Sequence, residues 1–146
     1  MVTATLSLLG FLLSLYLWLW KIGVVGEMAC GTGACETVQL SRYATIGGIP
    51  VAFFGVAGYF GLLAVSLAGL QPRWIHSAGP GALLALMSGA GVAFTGYLSY
   101  LEAFVIGAWC RWCLVSAGLI VLIFLVSLLS LRTSPSAPAP PTRPPA

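Results

Sequence analysis

A chain of 146 residues, 60% apolar and only 6% charged, cannot clothe itself in a polar surface. Soluble domains carry about a quarter charged residues, so a soluble enzyme, a nucleic-acid binder and a disordered chain are all excluded. The net charge of +3 is too small and too scattered to imply an electrostatic partner.

There is no Asp and no Asn, and the acids are Glu27, Glu36 and Glu102. Charge-free windows cover 1–20, 43–72, 74–101 and 112–131. About 20 apolar residues cross the hydrocarbon core as a helix. The expected fold class is therefore an all-α membrane protein, a four-transmembrane-helix bundle.

The first span is predicted over 3–24, closing with Trp18, Trp20 and Lys21, an aromatic and basic end suited to a membrane interface. No basic region precedes Leu6 and the apolar run is long enough to span, so it does not read as a cleaved leader. Gly26 to Gly48 is the longest polar connection. Within it, residues 34–44 are predicted as a short interfacial helix with Val38, Leu40, Tyr43 and Ala44 on its apolar face. Pro50 opens the second span, which runs to about Leu70. A brief link, Gln71 to Ser77, carries Arg73, Trp74 and His76, the last expected to be inert. The third span is predicted over 81–104 and the fourth over 111–132. Gly55, Gly58 and Gly61 on the second span, with Ser88, Gly89, Gly91 and Gly96 on the third, should let helices approach closely. The membrane domain thus covers 1–132. The remaining 133–146, with six prolines, is expected to be a disordered tail.

Four spans put the two cysteine-bearing connections on one membrane face. Basic residues do not say which: Arg73, Arg132 and Arg143 on one side balance Lys21, Arg42 and Arg111 on the other.

All four cysteines sit at connections or span edges. Cysteines used as small hydrophobes should also fall mid-span, and none does. Cys110-Arg111-Trp112-Cys113 is the stronger signal. A C-x-x-C at a helix start closes a small reducible disulfide, and the opening amides together with Arg111 favour thiolate over thiol. Cys113 lies deeper, toward a lipid-soluble oxidant, and Cys110 nearer water. Cys30 and Cys35 flank a segment with two glycines, which suits either a mobile disulfide or an ordinary loop. Two dithiols on one face permit relay by thiolate attack through a mixed disulfide. Static disulfides and a four-cysteine zinc site remain open at this point, although no further His or acid supports a metal shell. Covalent haem fails because Leu114 stands where histidine is required. Ser41 is placed to donate a hydrogen bond near the reacting site, or simply to cap or solvate. Glu102, with Tyr97 and Tyr100, is placed to handle protons or position a ring, or simply to sit at the boundary. Phe53, Phe54, Tyr59 and Phe60 offer walls for a flat ring or ordinary packing.

With these residues in place, the sequence resembles a bacterial member of the vitamin K epoxide reductase family. The matching features are Cys30 with Cys35, the segment Ser41-Arg42-Tyr43-Ala44, and Gly48-Ile49-Pro50-Val51-Ala52 with Phe54-Gly55. They continue through Tyr97-Leu98-Ser99-Tyr100-Leu101-Glu102 to Cys110 and Cys113. The resemblance implies a four-helix bundle around a quinone such as menaquinone or ubiquinone, capped by the loop helix. It implies that Cys113 contacts the quinone, Cys110 is its disulfide partner, and Cys30 and Cys35 form a shuttle pair, Cys35 exchanging with Cys110. It implies quinone contacts from Ser41, Phe54 and Glu102. Electrons would come from a thioredoxin-like protein acting in trans, with net disulfide formation in exported proteins. Two positions depart from the vertebrate pattern: Val51 stands where an Asn is expected, and Ala117 where a Tyr is expected. Both weaken any claim to epoxide reduction.

Disulfide generation is useful on the oxidising side, so the cysteines should face outward from a bacterial inner membrane, with both termini cytoplasmic. A thiol-driven reductase of quinone or quinone epoxide would use identical residues. A non-enzymatic protein with static bridges would show cysteines that tolerate replacement at a cost in stability alone.

Overall fold

The computed structural model describes residues 1–27, 30–31, 34–74, 77 and 79–133. His76 and the proline-rich tail from 134 lie outside the described residues.

Four helices are long and apolar enough to cross a membrane. Helix α1 (Val2–Lys21) ends where Gly23 takes a left-handed φ of +81°. A short helix α2 (Ala34–Leu40) follows, then a 3-10 turn (Arg42–Ala44). Next comes a minimal antiparallel hairpin, β1 (Thr45–Ile46) with β2 (Ile49–Pro50). Gly47 and Gly48 both have positive φ, the requirement of the tight two-residue turn whose twist matches a hairpin. Helix α3 (Val51–Gly69) starts directly after Pro50, and α4 (Gly79–Leu101) runs into a π-helical turn (Glu102–Ile106). Helix α5 (Arg111–Thr133) completes the bundle.

The helices form a closed ring, α1 against α3, α3 against α4, α4 against α5 and α5 back against α1. Lipid provides no hydrophobic drive for this association, so close backbone approach has to supply it. A Cβ on Gly91 would stand 2.8 Å from Ile120 of α5, and one on Gly55 would stand 2.8 Å from Ser14 of α1. Gly58 and Gly96 differ from this expectation, since a Cβ there meets nothing.

Two buried clusters result. Tyr59, Leu62, Leu84, Ile120 and Ile123 fill the bundle's middle. At the other end Leu17, Val38 and Ala52 pack with Cys30, Cys35 and Cys110. The loop segment buries Val38 and Ala44 of the predicted apolar face but not Leu40 or Tyr43. Cys35, Val38 and Gln39 turn inward, while Leu40 is 68% exposed and Tyr43 is also exposed. The helix ends at Leu40, so the 34–44 periodicity breaks before Tyr43, and Ala44 is buried from the 3-10 turn instead.

Candidate active site

The C-x-x-C motif opens α5 as a helix cap made of sulfur. Cys110 accepts the Leu114 amide on its carbonyl at 3.0 Å, which makes it the capping residue. Its Sγ accepts the Cys113 N–H at 3.3 Å, the place held by a Ser or Asp oxygen in ordinary caps. The chain reaches this cap through the π-helical turn, closed by Gly107 at φ +68°. Glu102 Oε2 then accepts the Cys110 N–H at 3.0 Å.

Cys110 is fully buried and its thiol is held below the usual cysteine range. The largest cause is the Cys113 thiol donating to it, with help from the Cys113 and Trp112 amides. Burial and the Glu102 carboxylate oppose this without cancelling it. Arg111, expected from the sequence to favour the thiolate, is exposed and is not among the groups acting on this sulfur.

Cys30 and Cys35 are joined in a disulfide with Cα atoms 6.1 Å apart, whereas Cys110 and Cys113 are free thiols. The bonded pair and Cys110 share one buried cluster. Cys113 packs against the edge of that cluster and also lines a cavity of about 160 Å³ bordered by α1, α3, α4, α5 and the loop helix.

The cavity wall is mostly aliphatic and aromatic. Phe54 lines it with its ring 6.4 Å from that of Phe94, and Gly58 provides an open stretch of α3 backbone. The polar lining residues are Gln39 and Glu102 near Cys113, Tyr59 with Ser116 further along, and the hydroxyl residues Ser14, Thr95 and Ser99. Tyr59 donates to the Ser116 carbonyl at 2.7 Å, its hydroxyl lying 3.1 Å from Ser116 Oγ. An apolar slot with a few convergent polar groups suits a flat ring bearing carbonyls.

Of the residues singled out in the sequence, Cys113, Glu102, Phe54 and Tyr59 meet at this cavity. Ser41 lines a smaller adjoining recess, which also touches Glu102 and Cys113, and its hydroxyl donates to the Val38 carbonyl at 2.7 Å. Phe53 pairs instead with Trp18, and Phe60 with Phe11. Tyr97 and Tyr100 are exposed. Gln39, which sequence reasoning passed over, is 6% exposed and places Nε2 3.9 Å from Cys113 Sγ. The signal was available: Gln39 follows Cys35 by four residues, on the same helical face.

A family model described as the Vitamin K epoxide reductase family matches residues 1–128. The chain belongs to this family. As such it is a multi-pass membrane protein and an oxidoreductase of a family that acts on quinones or their epoxides through thiols.

Proposed function

We propose that this vitamin K epoxide reductase family member is a thiol:quinone oxidoreductase that relays electrons through two cysteine pairs. A thioredoxin-like protein in trans reduces the Cys30–Cys35 disulfide. The Cys35 thiolate then attacks Cys110 of an oxidised Cys110–Cys113 pair, releasing the Cys113 thiolate, and Cys30 resolves the mixed disulfide by re-forming Cys30–Cys35. The carrying observation is positional: Cys113 lines the cavity while Cys110, its neighbour in the cap, is packed with the Cys30–Cys35 disulfide.

A quinone in the cavity would be held by the Phe54 wall and the polar groups around Cys113, and it supplies the two-electron acceptor. Glu102 fixes the cap and borders the ring, while Ser41 shapes the recess alongside. Quinone is preferred over its epoxide because Val51 presents an aliphatic side chain to the cavity.

Net disulfide formation belongs on an oxidising face. We therefore place the cysteines on the extracytoplasmic side of a bacterial inner membrane with both termini cytoplasmic. A membrane-impermeant thiol reagent applied to intact, mildly reduced cells should label Cys30; protection until the membrane is opened would reverse this placement.

The relay is tested with purified protein, a reduced thioredoxin-like protein and a soluble quinone. Catalytic quinone reduction should disappear in Cys113→Ala, Cys110→Ser and Cys35→Ser while the helices stay folded. Full activity in any of the three would refute the relay. No turnover by the unsubstituted protein with several quinones would favour static bridges.

A further inference from the structure

Helix α2 delivers two side chains, one turn apart, to the opening of α5. Cys35 is fully buried in the cluster that holds Cys110, and Gln39, four residues on, turns its amide to Cys113. The Lys21 ammonium at the end of α1 donates to the Gln39 carbonyl. A cation at that carbonyl end is where the α2 dipole favours one, so the backbone behind the amide is held.

Cys113 sits in a chamber bordered by Leu17, Leu62, Met87 and Ile120. An unpaired ion among such apolar side chains is costly. Its immediate side-chain neighbours are the Cys110 thiol, the Glu102 carboxyl and the Gln39 amide. Of these, the Glu102 carboxyl shares a hydrogen bond with the Cys113 thiol and, when ionised, repels a second negative charge. An amide brings two N–H donors and no charge of its own. Among the described residues, Gln39 is the side chain with an N–H hydrogen-bonded to this sulfur.

We propose that Gln39 is a catalytic residue of the quinone step, its amide donating to the Cys113 sulfur as that sulfur becomes the attacking thiolate. This rests on the relay proposed above. In that step the Cys110 and Cys113 thiols surrender two electrons and two protons. An S–S bond forms between them, the quinone becomes hydroquinone, and both protons end on its oxygens. Gln39 gains and loses nothing; it lowers the energy of the charged sulfur in transit.

The test uses the full chain in detergent with Gln39→Met, which keeps length and volume and deletes the donors. Three quantities are read: kcat for quinone reduction, the pH profile of Cys113 alkylation by N-ethylmaleimide in the Cys110→Ser background, and exchange at Cys30–Cys35 with a small dithiol. The kcat should fall about tenfold, in line with the loss of one hydrogen bond to a developing charge. The alkylation profile should move to higher pH, and exchange at Cys30–Cys35 should be unchanged. Should Gln39→Met fail to fold, Gln39→Asn, which retracts the amide by one methylene, should shift both readouts in the same direction by less.

An unmoved alkylation profile and kcat would overturn the proposal. Failure of the relay itself is distinguishable: the unsubstituted protein would then reduce no quinone, whatever the alkylation profile of the variant shows.

Discussion

Glu102 Oε2 accepts the backbone N–H of Cys110 at 3.0 Å, across the π-helical turn and the bend at Gly107. This bond ties the end of the third span to the first residue of the redox motif. Glu102 is 3% exposed, so the carboxyl is a built element of the cap rather than a boundary charge.

Glu102→Ala should leave a buried N–H without a partner, a loss of about 1–3 kcal/mol. Glu102→Gln keeps an acceptor oxygen in the same place and should cost less. Thermal denaturation in detergent measures the stability difference, and single-turnover exchange between the two cysteine pairs measures the loss of cap geometry. Equal behaviour of the two variants would mean that the acceptor is unimportant.

The Cys110 thiol offers a pH signature. Its value lies below the ordinary range, which is about 8.5 for a free cysteine, chiefly because the Cys113 thiol donates to it. Attack requires the thiolate, so exchange rises with pH and levels off once Cys110 is ionised. A lowered value puts that plateau at lower pH than an unperturbed thiol would reach. Removing the donor moves it back up. In Cys113→Ala, Cys110 attacks Cys35, Cys30 leaves as thiolate, and the mixed disulfide cannot be resolved by Cys113. Its formation followed against pH should show a higher midpoint in Cys113→Ala than in Cys113→Ser, whose hydroxyl still donates. Coincident profiles would place the cause elsewhere.

The spans were legible because hydrophobicity over some twenty residues is a property of composition, and the four helices begin and end within a few residues of the expected places. The grouping of cysteines at one end followed from the even number of spans. Finer features depend on which face a short segment buries. With only Ala34–Leu40 helical, Gln39 turns inward while Leu40 turns out, a choice made by packing against α5 and Lys21 rather than by hydropathy. The π-helical turn that swings Glu102 onto the Cys110 amide has no hydropathy signal, since Glu102-Ala103-Phe104-Val105-Ile106 reads as ordinary span. The Gly47-Gly48 turn lies inside a long polar connection and was not anticipated from the sequence.

Gly10 of α1 packs closely against the Tyr59 ring of α3. A Cβ on Gly10 would collide with the Tyr59 ring, which cannot swing aside freely because its hydroxyl is bonded to Ser116. Gly10→Ala should therefore destabilise the protein by about 1–3 kcal/mol despite the better helix propensity of alanine. In a Tyr59→Leu background the same substitution should cost far less. A double-mutant cycle on the melting transition measures the coupling. An additive result would mean the ring relocates at no cost.

Gly58 separates cavity-filling from helix-packing effects on α3. It lines the cavity, and a Cβ there meets no atom within 4 Å, in contrast to Gly55 and Gly61 on either side. Gly58→Ala should stabilise α3 by about 0.5–1 kcal/mol, since glycine is costly within a helix. Gly58→Leu adds three further carbons to the space proposed for the quinone ring. Its melting temperature should match or exceed that of the unsubstituted protein, while KM for quinone rises by roughly tenfold or more, the cost of excluding a ring from its slot. Neither Cys30 nor Cys35 lines this cavity, so exchange at that pair should be untouched. An unchanged KM in a folded Gly58→Leu protein would move the ring out of this cavity, because an isobutyl group and a quinone cannot share the same space beside α3.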